Sequence, residues 1–579
     1  MAQRERERRK KKALALAGEA AAYPKVPGGW LVGVAAAVLG FVLYVNTFGH
    51  QYTLDDYSTI KGNWIVKSGL NAESVKLILT TEYRYGAWNS PGSLYRPVPL
   101  LMFAAEWQLA PDDPRLGHVV NALLYALTGW LLWVTLRRVL AKQPPALVAA
   151  AVLLFIAHPV HTEVVANTKS RDEILSLLFG TATLYAVWRH LDKGNARWLA
   201  AAVLFYALAL FSKESAITLL AVVPLTIWFF RDERPARIVR VGLLLLIPAF
   251  AYLVVRKSVL DAQPYPEVYS ALDTVYVAAK DRLEQLSTAF KMSGRYLKTL
   301  VYPHPLVSDM GYPQVKPVGF GDWRALAGLG VYGGLFGWAI AGLRAKRFES
   351  YAILFYLITF SLFSNIFLII GTSYGERLLY LPSLGFVMLL AWGFSKLARI
   401  DDMRSLWDPN GRGAFFWGAI AVVVALYAYQ TVARNPDWYV SGDLYAADLP
   451  KSPNSAKLNH HHGIEILKKG VKEDSGEVTD TLWVKRAIVA QTRAIELFPE
   501  YPDAFAARGL CWLRLAKYDK AEKDLRTALV YRHNNAEAWS NLGFVQYHTN
   551  RLGEAEESFK KSIAYDPRFV DARRNLGTV

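Results

Sequence analysis

Ionisable residues stand at the ends of apolar runs in this chain, where a charge is costly and tends to be functional. They are Asp55-Asp56, Arg96, His158/His161/Glu163, Lys169/Arg171, Lys213-Glu214 and Glu376-Arg377. Two adjacent carboxylates repel, so one stays available as a base or both turn toward a cation. The plainer reading of Asp55-Asp56 is a turn or a helix N-cap. Arg96 presents a guanidinium suited to bidentate phosphate contact, although an Arg-Pro pair is otherwise structural. In His158-Pro159-Val160-His161-Thr162-Glu163 the spacing is not that of a helical HExxH zinc site, and Pro159 breaks the helix between the histidines. His161 and Glu163 remain the candidates for a divalent ion, with hydrogen bonding to a substrate as the alternative. Lys213-Glu214 reads as an ion pair or an anion site. Arg377, beside Glu376, opens an apolar span low enough to meet a lipid phosphate.

These groups need elements to hold them. Of 579 residues, 53% are hydrophobic, and they arrive in blocks near the ~20 residues that cross a bilayer. The expected spans are 30–48, 115–136, 146–157, 173–188, 198–211, 215–230, 238–255, 325–343, 350–370, 377–395 and 413–433. If the basic tail 1–29 is cytoplasmic, every loop rich in Lys and Arg falls on the same side, as the positive-inside rule requires. The apolar run after that tail lacks a small-residue cleavage site, so it reads as an uncleaved anchor. Eleven spans then place the C-terminus across the membrane. On this topology all the unusual acids and bases share the outer face, on the first external loop (49–114) and several short ones. Residues 98–110 are too short to span and suggest a helix lying in the outer interface. The segment 257–324 reads as a large external loop, with Tyr296 to Tyr302 a second interfacial element.

Residues 441–579 form a different domain. Ala504, Ala538 and Ala572 recur every 34 residues, as do Gly509 and Gly543, and Ala521 and Ala555. That period, with small residues where paired helices cross, resembles the tetratricopeptide repeat. An earlier copy starts near Ala456, with an insertion of 14 residues placed around Lys472-Glu473-Asp474-Ser475. Such a short solenoid has a concave face for an extended peptide, or serves only oligomerisation. The single cysteine, Cys511, excludes an internal disulfide framework and a thiolate metal cluster, and its place in a repeat helix suggests packing. The net charge of +17 is spread as orientation charges beside a membrane, which argues against nucleic acid as a partner.

The segments LDDYSTI, SLYRPVPLLMF, LLFIAHPVHTEVV, KSRDEILSLLF, LFSKESAITLL and GERLLYLPSLGF, in this order and with the repeats behind them, resemble the transmembrane and tetratricopeptide-repeat containing protein O-mannosyltransferases. The resemblance implies an all-α, polytopic GT-C-type helical bundle with a C-terminal repeat solenoid. It implies transfer of mannose from a polyprenyl or dolichyl phosphate to Ser or Thr hydroxyls of an acceptor protein bound by the repeats. Under it, Asp55 is the base and Asp56 the alternate. Arg96, Arg171, Lys213 and Arg377 are candidates for the donor phosphate, and His158, His161, Glu163, Glu214 and Glu376 for orienting substrate. A single displacement with one base predicts inversion. No cofactor is required, and a divalent metal stays open. The repeat array is shorter than in typical animal members, which points to a bacterial inner membrane rather than the endoplasmic reticulum. A transporter or flippase, or a non-catalytic scaffold displaying the repeats, are the rival readings. A transporter places its coupling charges near the midplane on broken helices.

Overall fold

The computed structural model describes residues 28–579 except 88–91, 263–268, 404–405, 407–411 and 473–475. The basic tail expected at 1–29 therefore lies almost wholly outside the described residues, as does part of the expected insertion. The described chain is helical, with one isolated bridge between Val471 and Val478.

The membrane part comprises α1 (Gly29–Val42), α2 (Pro97–Leu109), α3 (Pro114–Val139), α4 (Pro145–Ala157), α5 (Arg171–Lys193), α6 (Ala196–Ser212), α7 (Leu219–Phe230), α8 (Pro235–Asp261), α9 (Arg282–Val301), α10 (Trp323–Leu343), α11 (Phe348–Phe360), α12 (Tyr380–Leu397) and α13 (Arg412–Arg434). Seven helices among the described residues are long and apolar enough to cross a bilayer, and α4 with the segment Pro159–Ala166 makes an eighth, bent by 48°. The chain is a multi-pass membrane protein. Length and hydropathy do not extend the count to the expected eleven. The other three expected spans coincide with the shorter apolar helices Ala196–Ser212, Glu214–Phe230 and Phe348–Phe360.

The bend in the third span has a local cause. His158 leaves helical geometry at ψ 123, Pro159 follows, and a 3-10 turn over Pro159–His161 restarts the chain in a new direction. Short 3-10 turns also precede α5, α7 and α12, so three further helices enter the bundle through tight turns. α4 is buried on every side, a core helix around which the others pack.

α2 does not simply lie on the membrane. Its Leu100, Phe103 and Ala104 pack onto Tyr52, Ile60, Ile65 and Tyr83 of the first external loop, so loop and helix share one small core. The expected short element at 296–302 is the end of a 20-residue helix, α9, which buries Met292 and Tyr296 beside Tyr332 of α10.

The C-terminal domain stacks helix pairs: α14 (Ala456–Lys469) with α15 (Thr481–Leu497), α16 (Pro502–Arg514) with α17 (Tyr518–Tyr531), and α18 (Ala536–His548) with α19 (Leu552–Tyr565). Ala504, Ala538 and Ala572 are fully buried. A Cβ on Gly509 would meet Leu525 at 2.9 Å, and one on Gly543 would meet the Phe559 ring at 2.9 Å. The sequence period therefore marks the helix crossings. The residues added to the first repeat lie in the turn between α14 and α15 and in a longer α15. Cys511 is buried among Leu467, Val484 and Ile488, as packing requires.

The array is bolted to the membrane part. Arg434, at the end of α13, donates to both oxygens of the fully buried Asp448, at 2.7 and 3.0 Å. Asp448 also accepts from the Ser308 backbone N–H at 2.7 Å. Replacing Asp448 with Ala strands the Arg434 guanidinium, which is 5% exposed, away from water and from its main partner. Breaking such a pair costs about 3–5 kcal/mol. The expected outcome is a lower unfolding midpoint in detergent and faster proteolysis between residues 440 and 456; unchanged proteolysis would show that other contacts seat the array.

Candidate functional site

The charged residues meet at the end of the bundle that carries the repeats. Asp172, at the start of α5, is fully buried and is the hub. It faces Arg96 at 2.5 Å, Lys169 at 3.6 Å and Lys213 at 3.8 Å. Lys169 in turn lies 3.8 Å from Asp55, whose other oxygen is 3.1 Å from Arg84. Arg96 also grips Glu214 with two nitrogens, one of them at 2.9 Å, and Lys213 donates to Glu173. Asp55, Arg96, Lys213 and Glu214 thus belong to one continuous ionic network. Glu163 accepts from the Arg377 guanidinium and, at 3.0 Å, from its backbone N–H. Arg377 also acts electrostatically on Asp55.

The two adjacent aspartates have different surroundings. Asp56 is fully buried and accepts backbone N–H groups from Thr53 at 2.9 Å and Lys169 at 2.7 Å. It ties the first external loop to the turn before α5. Burial pushes its carboxyl up to about 7, against the pull of those two hydrogen bonds. Asp55 keeps about a third of its side chain exposed. Burial would raise it too, but Arg84, Lys169, Arg377 and Lys457 together hold it well below the usual carboxylate range. Its direction is set by an unusual backbone. Leu54 adopts a left-handed φ of 51°, which costs a leucine about 1–2 kcal/mol, and a π-turn over Tyr57–Lys61 follows. Both features recur at functional sites. Leu54 is held there by its N–H donating to Ser441 and by packing near Trp438 and Leu444.

Several expected residues sit elsewhere. Arg171 is completely buried, donating to Glu106, Asn121 and the Gly117 carbonyl. The 3-10 turn over Thr168–Ser170 turns Lys169 toward Asp55 and leaves Arg171 under α2, so Arg171 fastens α2 to the bundle through Glu106. Glu376 is fully buried and accepts from the Val307 backbone, which anchors the large external loop. His158 packs on Tyr427 and reaches the Leu300 carbonyl at 3.1 Å. Both nitrogens of His161 are engaged, with Tyr125 at 2.8 Å and Ser383 at 2.9 Å, and Glu163 is engaged by Arg377. A divalent ion between His161 and Glu163 does not fit these partners. No group of three or more His, Cys, Asp or Glu side chains among the described residues gathers to hold one.

Arg84, Asp172, Glu173 and Glu106 were not singled out from the sequence. Asp172-Glu173 carried a usable signal, an acid pair opening an apolar helix. Arg84 did not, since its loop brings it to Asp55 from 29 residues away.

Residues 97–260 match the family model for dolichyl-phosphate-mannose-protein mannosyltransferases, and residues 536–569 match the tetratricopeptide repeat. Over 92% of this chain there is 24% identity to the mouse (Mus musculus) Protein O-mannosyl-transferase TMTC3. The chain is similar to protein O-mannosyl-transferases over most of its length. The human (Homo sapiens) TMTC3 protein is 23% identical over 95% of the chain, and human TMTC4 is 26% identical over 77%. The alignments cover 60% of mouse TMTC3, 69% of human TMTC3 and 65% of human TMTC4, so the chain spans about two thirds of the length of these relatives. The mannosyltransferase match holds α2 and, of the ionic network, Lys169, Asp172, Glu173, Lys213 and Glu214, while Asp55, Arg84, Arg96 and Arg377 lie outside it.

The Asp56 carboxyl gives a pH signature. Between its ordinary value of 3.8 and about 7 the folded chain keeps a proton that the unfolded chain has lost, so this group's contribution to stability falls as pH rises through that window. Asn at position 56 does not titrate. The melting temperature of Asp56→Asn relative to wild type is expected to rise from about pH 5 to about pH 8. A constant difference would contradict the raised value. Asp55, held low, has its own window below its usual pKa and does not interfere.

Proposed function

We propose that this chain is a membrane glycosyltransferase that moves mannose from a polyprenyl or dolichyl phosphate to a Ser or Thr hydroxyl of a protein. The observation that carries the reading is Asp55: an ionised, partly open carboxylate set among fixed cations, at the bundle end that the repeats cover. In the proposed step the acceptor Oγ attacks the anomeric carbon, and its proton passes to an Asp55 carboxylate oxygen. The bond from that carbon to the phosphate oxygen breaks, and the electron pair leaves with the lipid phosphate. The phosphate is already a good leaving group and needs cationic stabilisation more than a proton. Arg96, Lys213 and Arg377 keep that role and Lys169 joins them, all belonging to or acting on the network around Asp55, and Arg171 drops out because it turns away to Glu106 and Asn121. Asp56 positions Lys169 through its backbone. Two cations, Arg84 and Lys169, flank Asp55.

An apolar groove of about 500 Å³ supports a lipid-linked donor. It lies between α7 and α8, lined by Ile217, Leu220, Leu246, Phe250 and Leu253, and Ile217 is three residues beyond Glu214. An isoprenoid tail there would bring its phosphate toward the Arg96–Glu214 pair.

With the three shorter helices as crossings, the chain spans the membrane eleven times. The basic loops, with Arg138 and Arg231 gathered on Asp192, then face the cytoplasm, and the repeats lie outside, in a bacterial periplasm. The repeats receive the acceptor.

Asp55→Asn is expected to lower transfer from polyprenyl-phosphate mannose to a Ser-containing peptide by about 10²- to 10⁴-fold, the contribution of a general base. Unfolding should stay near wild type, because Asp55 is a partly exposed member of the network. Wild-type rates in the purified variant would contradict the assignment.

A further inference from the structure

The first repeat helix approaches the acid itself. Lys457, His461 and Lys468 recur at helical spacing on one face of α14. Lys457 and His461 lie within electrostatic reach of Asp55. His461 stacks on Tyr445 with ring centres 5.4 Å apart, and the Lys468 ammonium sits 5.9 Å from the centre of the Tyr57 ring. At the far end of the array, after the third helix pair, the Arg568 guanidinium covers Trp64 at 4.7 Å. Tyr57 and Trp64 both belong to the first external loop, just beyond Asp55.

The solenoid therefore touches that loop at both ends of its own length. The arch is fixed in place. Ser455 donates to Asp309 at 2.6 Å, the Asn454 N–H to Gln314 at 2.9 Å, the Ala456 N–H to the Tyr312 carbonyl at 3.3 Å, and Tyr312 packs on Phe498. A repeat arm hanging freely over the membrane would show none of these bonds.

We propose that the array and the first external loop enclose a passage to Asp55, and that its occupant is an extended polypeptide segment with acidic side chains beside the acceptor hydroxyl. Two observations select that chemistry. The array meets the loop at both ends, so the proposed occupant is a threaded strand and not a folded domain. Among the described residues, Lys457 and Arg568 have no carboxylate within ion-pair distance, so each has a charge to offer an acidic neighbour of the hydroxyl. Lys457 is then a positioning residue, and it also helps keep Asp55 ionised. The proposal rests on the transferase reading for its hydroxyl, but the passage can be tested without transfer.

The test uses the full-length protein in lipid nanodiscs and fluorescence anisotropy of short fluorescent peptides, with no sugar donor present. One peptide carries Asp on both sides of its Ser, a second carries Lys, and a third is the Asp peptide closed by a disulfide into a hairpin. The Asp peptide is expected to bind about ten-fold more tightly than either other, the equivalent of about 1.4 kcal/mol. Lys457→Glu should reverse the preference between the Asp and Lys peptides, and Arg568→Glu, at the other end of the arch, should weaken it. Equal affinities for all three peptides, or preferences unchanged in both variants, would overturn the passage. Tight binding of the Asp peptide by a protein that transfers no sugar would contradict the transferase reading and leave the passage standing.

Discussion

Everything at this site depends on a carboxylate that cannot be left alone. Asp172 has no exposed surface, and an isolated charge in that position would cost far more than a folded protein's margin of stability. It is tolerated because Arg96, Lys169 and Lys213 surround it, each delivered by a different segment. Removing any one of them leaves charge uncompensated, so the three segments are held in register as the cost of keeping the acid ionised. Asp55 lies one ion pair farther out and inherits its fixed surroundings from that hub.

The same constraint explains how loops can act as a rigid site. Asp56 binds the backbone N–H of Lys169, so the first external loop is pinned to the very turn that feeds the hub. On its other side the loop is clamped by the segment after α13, where the Thr53 hydroxyl donates to the Trp438 carbonyl and the Gln51 N–H to the Tyr439 carbonyl. The left-handed Leu54 is stable only within that clamp. Because the repeats begin directly beyond it, the array, the loop and the acid form one unit. The site is preorganised by the chain's last third as much as by its membrane helices.

Much of this was legible in the sequence, and the parts that were not have physical reasons. The 34-residue period was readable because only Ala and Gly fit where helices cross closely. The gathering of charges at one end was readable from hydropathy and loop charge, since both depend on position along the chain. The span count was less secure, because the tight turn at Lys213 divides an apolar stretch into two short helices and α11 ends at Phe360 while the sequence beyond it stays apolar. Which of two neighbouring aspartates faces the opening was beyond sequence reading. It follows from the φ of Leu54 and from contacts with residues nearly four hundred positions away. The placement of Arg171 was hidden for a similar cause: a short 3-10 turn sends it toward Glu106 and Lys169 toward Asp55. Glu376 lies at a helix start, as expected, but a distant loop takes its hydrogen bond.

In the proposed step Asp55 alone takes the acceptor's proton, whereas Glu214, similarly exposed, is gripped by Arg96 and Asp56 is buried on two backbone N–H groups. A retaining enzyme needs two carboxyl groups about 5 Å apart, one of them a nucleophile, whereas a single base allows only direct displacement. The most direct test is therefore the anomeric configuration of the glycosylated peptide, read by NMR after transfer from a lipid-phosphate mannose of known configuration. The account predicts that the configuration is inverted. A retained configuration would contradict the single direct displacement.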